Sequence, residues 1–209
     1  MLRVVEVRHR VAIAGWVTDA GAQKALGGVA VNIVEMPPAF KSVLRTKAMQ
    51  YGSRWRAMPE RSDRTRTAPD GLFYFLDLPD GKYTIAASLV RFGKRYGAAQ
   101  CSAAVSRGAK GSLKVAYVEM SLRPTTVEGK VTGSAHKTGV IMAEIRVKGS
   151  GEQVFTDAQG LYVLAGVEPG KRTILAVAQG YRPAAKPVTI EQPGALATLN
   201  FALVREAAG

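Results

Sequence analysis

Short stretches in which apolar and polar residues alternate run along most of the chain, and a period of two marks a strand with one buried face. In the first half they cover residues 11–18 and 29–33, then Phe73 and Phe75, then Tyr83, Ile85 and Ala87, then residues 113–118 with Met120 and Leu122. In the second half they cover residues 126–132 and 143–147, then Tyr162 with Leu164, Ile174 with Ala176, and residues 187–190 and 199–203. Gly, Pro and Asp clusters separate them, as tight turns require. Many short strands without a sustained helical period predict an all-β chain built of antiparallel β-sandwiches. Trp16, within the opening strand, is expected in the core.

The pattern occurs twice. Thr67-Ala68-Pro69-Asp70-Gly71-Leu72-Phe73 answers to Thr156-Asp157-Ala158-Gln159-Gly160-Leu161-Tyr162. Gly71 and Gly160 are 89 positions apart, and so are the next turn glycines, Gly81 and Gly170. Each copy thus has a glycine turn, a strand, a Pro/Gly turn and a second strand, with an upstream pair of strands and a late pair. Pro124 blocks a central strand and marks the boundary. The expected organisation is two tandem antiparallel β-sandwich domains, 1–123 and 124–209, each long enough for one core.

At these residues the chain resembles the carboxypeptidase regulatory-like domain family, whose fold is similar to transthyretin and of immunoglobulin-like sandwich type. Copy one carries the resemblance in Gly28-Val29-Ala30-Val31, Asp70-Gly71-Leu72-Phe73-Tyr74-Phe75 and Leu78-Pro79-Asp80-Gly81-Lys82-Tyr83. Copy two carries it in Val127-Glu128-Gly129-Lys130-Val131, Thr156-Asp157-Ala158-Gln159-Gly160-Leu161-Tyr162 and Val167-Glu168-Pro169-Gly170. Copy two departs at Arg172, which stands where copy one has Tyr83. The resemblance implies a non-catalytic module that supports, spaces or presents. It also brings an association with accessory subunits of phage-tail-like contractile injection systems.

The copies differ most between the second strand and the glycine turn, where copy one holds an insertion, 37–66. This stretch has eight bases against two acids, Glu60 and Asp63, a net of +6, with Phe40, Tyr51 and Trp55 interleaved. Pro37 and Pro38 suit a helix start, and Phe40, Val43, Leu44 and Lys47 share a face, so a short helix is expected over 40–49. A second basic run holds Arg91, Lys94, Arg95, Arg107 and Lys110. The whole chain has 209 residues and a net charge of +13, of which copy one carries +11 and copy two +2. So basic a chain is suited to an acidic partner. Aromatic anchors among arginines suit a protein interface. The candidate partner-binding residues are Phe40, Lys41, Arg45, Lys47, Tyr51, Arg54, Trp55, Arg56, Arg61, Arg64, Arg91, Lys94 and Arg95.

Little else carries chemistry. His9 and His136 lie in different copies, and Cys101 is a lone cysteine expected to be a small packed residue. Asp70 and Asp157 read as turn formers rather than calcium ligands. No nucleophile-elbow or phosphate-binding motif occurs. Neither catalytic residues, a cofactor nor a metal is expected, and no small-molecule substrate. Glu6, Arg8 and Arg10 interrupt any leader-like apolar core, so a cytoplasmic location is expected, in a particle assembled there if the injection-system association holds. No apolar run approaches a membrane span. The leading expectation is a non-enzymatic structural adaptor docking on an acidic protein surface. A nucleic-acid binder using the basic face of copy one is the alternative, and a glycan-binding module using Trp55 or Trp16 the second.

Overall fold

A computed structural model describes residues 9–58, 61–89, 93–108, 112–135 and 137–206. Arg91, Lys110 and His136, with the residues before His9, lie outside the described residues.

The opening strand β1 (Val11–Asp19) shows how the pattern becomes structure. Ile13 and Val17 turn inward and are fully buried, while Trp16 turns outward and remains 37% exposed. The expectation of a core Trp16 is corrected here: period two gives the inward face to odd positions. Gly15 shares that inward face. A Cβ there would stand 2.5 Å from the Val118 carbonyl oxygen and 2.7 Å from the Phe73 ring, so only glycine lets the neighbouring strands close over it.

Two compact units result, Met1–Arg91 with Ala98–Leu122, and Phe92–Gly97 with Arg123–Gly209. In unit 1, β4 (Leu72–Leu76) and β8 (Ala116–Leu122) flank β1, β4 antiparallel and β8 parallel to it. The second sheet runs β3 (Arg64–Arg66), β2 (Ala30–Glu35), β5 (Gly81–Ser88), β6 (Ala99–Arg107) and β7 (Leu113–Lys114). Ile13, Val17 and Phe73 of one sheet and Val31, Tyr83 and Ile85 of the other supply its buried side chains. The insertion forms α1 (Pro38–Tyr51), α2 (Arg54–Ala57) and β3. The helix expected at 40–49 is present and extends at both ends.

Unit 2 has the corresponding order. β9 (Thr126–Gly133) lies between β12 (Leu161–Ala165) and the pair β15 (Leu196–Thr198) and β16 (Phe201–Leu203). The opposing sheet runs β11 (Gln153–Phe155), β10 (Glu144–Val147), β13 (Gly170–Val177) and β14 (Ala184–Ile190). Its core draws Val131, Tyr162 and Phe201 from one sheet and Ile145, Ile174 and Ile190 from the other. Sequence reading missed β3, β6, β11 and β15. The strand β6 shows only weak alternation, with Ala103 and Val105 buried and Cys101 half-buried.

Equivalent residues do equivalent work in both units. The buried Thr67 hydroxyl accepts from the Val29 N–H at 2.9 Å and donates to the Leu26 carbonyl at 2.6 Å. Thr156, also buried, accepts from the Ala143 N–H at 2.8 Å and donates to the Val140 carbonyl at 2.6 Å. Tyr83 and Arg172 also match. The Tyr83 hydroxyl donates to the Pro79 carbonyl at 2.7 Å, and Arg172 Nε donates to the Glu168 carbonyl at 3.0 Å, each four residues back.

Candidate functional site

Two prolines open α1. Pro37 supplies an extended N-cap and Pro38 the first helical position, where a missing N–H leaves nothing unpaired. Gly52 closes it with a φ of 55°, its N–H donating to the Ala48 carbonyl at 2.9 Å. One side chain seats the helix on the sandwich. Phe40 is 2% exposed and meets Tyr83 edge to face, with ring centroids 5.9 Å apart. Burial, with Asp80 adding to it, pushes the Tyr83 hydroxyl pKa up to about 12. Phe40 was expected to touch a partner; its burial makes it the anchor of the helix instead.

On the outer side, Lys41, Arg45 and Met49 follow one another at four-residue steps, which stacks them in one row. All three are exposed, Met49 by 82%. Beyond α1, the rings of Tyr51 and Trp55 stack at 6.0 Å and 19°. Arg61 lies over the Trp55 ring at 4.6 Å. It is also held by Asp63, through Nε at 2.8 Å and Nη2 at 2.6 Å, so its charge is already engaged. Arg54 and Arg56, on α2 to either side of Trp55, are exposed. Among the described residues no acid pairs with Lys41, Arg45, Arg54 or Arg56. Lys41 and Arg45 even oppose each other along the helix, at a cost of about 0.2–0.5 kcal/mol.

Lys47 is half-buried and its Nζ donates to Ser62 Oγ at 2.7 Å. Arg64 lies on β3 with its Nε buried and, among the described residues, without a hydrogen-bond partner. Unit 1 therefore holds Phe40, Lys41, Arg45, Lys47, Tyr51, Arg54, Trp55, Arg56, Arg61 and Arg64 in its insertion. Lys94 and Arg95, expected beside them, pack in unit 2. Arg95 Nη2 pairs with Glu152 Oε1 at 2.5 Å. Burial raises the Glu152 pKa, but the Ser150 hydroxyl, a backbone N–H and the Arg95 guanidinium outweigh it and hold the carboxyl below its ordinary 4.5.

Sequence reasoning missed Met49, although the step from Lys41 to Arg45 continues to it. Among the described residues, no three His, Cys, Asp or Glu side chains come together to offer a metal a donor set. No helix among them is long and apolar enough to cross a membrane.

No curated protein matches the chain in sequence. Among solved structures, the shaft pilin SpaA from Lactobacillus rhamnosus GG is 11% identical with a TM-score of 0.43, over 96% of this chain and 98% of that one. The Bacillus anthracis TIE protein is 13% identical with a TM-score of 0.37, over 93% of this chain. A Streptococcal ancillary pilin is 12% identical with a TM-score of 0.34, over 94% of this chain. The chain spans 34% of the length of the TIE protein and 62% of that pilin. At these scores the fold rests on the strand order itself. The family model for the carboxypeptidase regulatory-like domain matches residues 126–204, which contain β9 through β16. Residues 126–204, the body of unit 2, thus belong to the carboxypeptidase regulatory-like domain family.

Proposed function

We propose that the chain is a non-enzymatic structural adaptor that docks on an acidic protein surface through the helical insertion of unit 1. Unit 1 is read as a second domain of the same kind, because its strand order and its buried Thr67 repeat those of unit 2. The observation that carries the proposal is the group Lys41, Arg45, Arg54 and Arg56. These four exposed cations have no acidic partner among the described residues and sit on a segment that unit 2 does not have. The Tyr51–Trp55 stack and Met49 add apolar contact area between them. Interfaces combine such aromatic anchors with arginine.

The test is capture from native lysate, with nuclease, by the wild type and by a chain carrying Lys41→Glu, Arg45→Glu, Arg54→Glu and Arg56→Glu. The proposal expects an acidic protein that survives nuclease and is lost on charge reversal. Recovery of nucleic acid, lost steeply with salt, would replace it with the nucleic-acid reading.

A glycan-binding reading has one observation of its own. Ala14 is in register with Tyr74 on one side and Tyr117 on the other, and Trp16 projects from the same face two residues on. Trp16, Tyr74 and Tyr117 are all exposed. The two tyrosines stand two strand spacings apart, about 9.6 Å, over a small residue. Retention on an insoluble polysaccharide that Trp16→Ala and Tyr117→Ala abolish would support this reading; equal passage of wild type and variant would remove it.

A further inference from the structure

Within unit 1 an open cleft of about 410 Å³ lies where α1, β3 and β4 meet. Tyr74, Phe75, Leu76 and Asp77 all line it. Side chains of a strand alternate between its two faces, and here Phe75 is buried while Tyr74 and Leu76 are exposed. A cleft that touches these residues in succession runs along the edge of β4, not over one face. Among the described residues β4 is the end strand of its sheet and pairs only with β1.

Two bonds show where the main-chain groups of β4 point. The Val17 N–H donates to the Gly71 carbonyl, and the Asp77 N–H donates to the Arg10 carbonyl, both at 2.9 Å. In an antiparallel pair, alternate residues bond to the neighbouring strand and those between them face away. The odd-numbered residues 71–77 therefore face β1, and Leu72, Tyr74 and Leu76 face the cleft side. The Leu72 carbonyl accepts from the Ala68 N–H at 2.8 Å, which closes that position. The N–H and C=O of Tyr74 and Leu76 remain open for pairing. Across the cleft, β3 offers no such edge, because the Arg64 N–H and C=O are both bonded to Arg61, at 3.1 and 3.0 Å.

The side chains of β4 do nothing to protect this edge. Its sequence, Leu72-Phe73-Tyr74-Phe75-Leu76, holds neither a charge nor a proline, the usual guards of an end strand. The end strand β14 of unit 2 has both, in Lys186 and Pro187. Tyr74 and Leu76, each more than two-fifths exposed, offer apolar neighbours to alternate side chains of an added strand. The opposite wall, from α1 and the β3 segment, is basic and holds Lys47, Arg61 and Arg64. Asp63 engages Arg61, whereas Lys47 and Arg64 pair with no acid among the described residues. Asp77, the acid among the described lining residues, is already bonded to the His9 ring and the Arg10 N–H.

We infer that this cleft takes an extended acidic segment of a partner protein, which adds as a strand to β4 through the main chain of Tyr74 and Leu76. Main-chain bonds hold the segment and alternate side chains select it. Apolar ones lie beside Tyr74 and Leu76, and acidic ones face the basic wall. The inference goes beyond the adaptor proposal and uses different groups, the β4 edge rather than the Lys41–Arg45–Met49 row, so either can fail alone.

The experiment is amide hydrogen exchange of the full chain with a capped peptide of alternating Val and Glu. Parallel runs use the same peptide with Lys for Glu, and the Val–Glu peptide with every main-chain nitrogen methylated. At a peptide concentration about ten times its dissociation constant, the Tyr74 and Leu76 amides should exchange about tenfold more slowly. Both control peptides should bind at least about tenfold more weakly, one having lost the charge match and the other the ladder bonds. Tyr74→Pro removes the outward N–H at a place where a sheet edge tolerates proline, and should abolish the protection at Leu76. The methylated peptide leaves the protein unaltered, so the test stands even if that variant does not fold. No slowing at Tyr74 and Leu76, slowing only elsewhere, either control peptide binding as tightly, or unchanged binding by folded Tyr74→Pro would each overturn the inference. Slowing that grows with protein concentration in the absence of peptide would assign the edge to a second copy of the chain and overturn it as well.

Discussion

At the scale of single residues, the repeat is kept by contacts rather than by residue identity. Thr67 and Thr156 each tie two backbone segments together through one buried hydroxyl. Replacing either by valine keeps the shape and strands a buried N–H and a buried carbonyl. Thr156→Val is expected to lower the stability of unit 2 by about 1–3 kcal/mol in denaturant titration; an unchanged midpoint would refute this role. Arg172 shows the reverse case, a different side chain reaching the same turn carbonyl as Tyr83. It also pairs with Glu168 at 3.1 Å. The sequence marks Arg172 as a departure but not that it reproduces the bond, because that depends on reach rather than residue class. Glu152 gives a pH prediction. Its folded pKa is depressed, so its contribution is present above the ordinary value of 4.5 and is lost as pH falls through the lower folded value. The stability gap between wild type and Glu152→Gln should therefore close below that pH. A gap that stays constant into acid would count against the Arg95–Glu152 pairing.

At the scale of elements, the strands with strict alternation were legible and the others were not. Period two in β4 and β5 is a direct record of one buried face, and in β1 it separates inward Val17 from exposed Trp16 although residues 12–15 are all buried. It also decides that Trp16 faces out, a conclusion that residue type alone gets wrong. β3 and β11 are three-residue edge strands, too short to carry a period. The helix α1 was legible from its two prolines and its apolar spacing. That Phe40 is its inward anchor was not, because the partner ring, Tyr83, is distant in sequence. Phe40→Ala is expected to cost about 3–5 kcal/mol, the range for removing a buried aromatic. Proteolytic cleavage within α1 should rise accordingly. Unchanged cleavage would mean that the helix is held by something other than Phe40. A cleft of about 410 Å³ beside it was invisible in the sequence, since its lining comes from α1, β3 and β4, which only the fold brings together.

At the scale of the whole molecule, charge and architecture separate. Unit 2 is a carboxypeptidase regulatory-like domain with nearly balanced charge, and the first half carries most of the net +13. Among the described residues, the exposed cations Lys41, Arg45, Arg54 and Arg56 of α1 and α2 have no acids to pair with. A surface kept at electrostatic cost is best explained by what it meets, which is the reasoning behind the adaptor proposal. Lys94 and Arg95 qualify this picture. They sit between β5 and β6 in sequence, yet belong to unit 2, so linear charge runs overstate the docking surface proposed for the insertion. Because the surface is exposed, its salt dependence should be steep. The most direct test of the central claim is the dissociation constant of the captured acidic partner for wild type and for the Lys41→Glu, Arg45→Glu, Arg54→Glu, Arg56→Glu chain, at low and high salt. The account predicts a loss of at least about a hundredfold on charge reversal, about 0.7 kcal/mol per reversed charge, together with a weaker salt dependence. Equal constants for the two chains would contradict it.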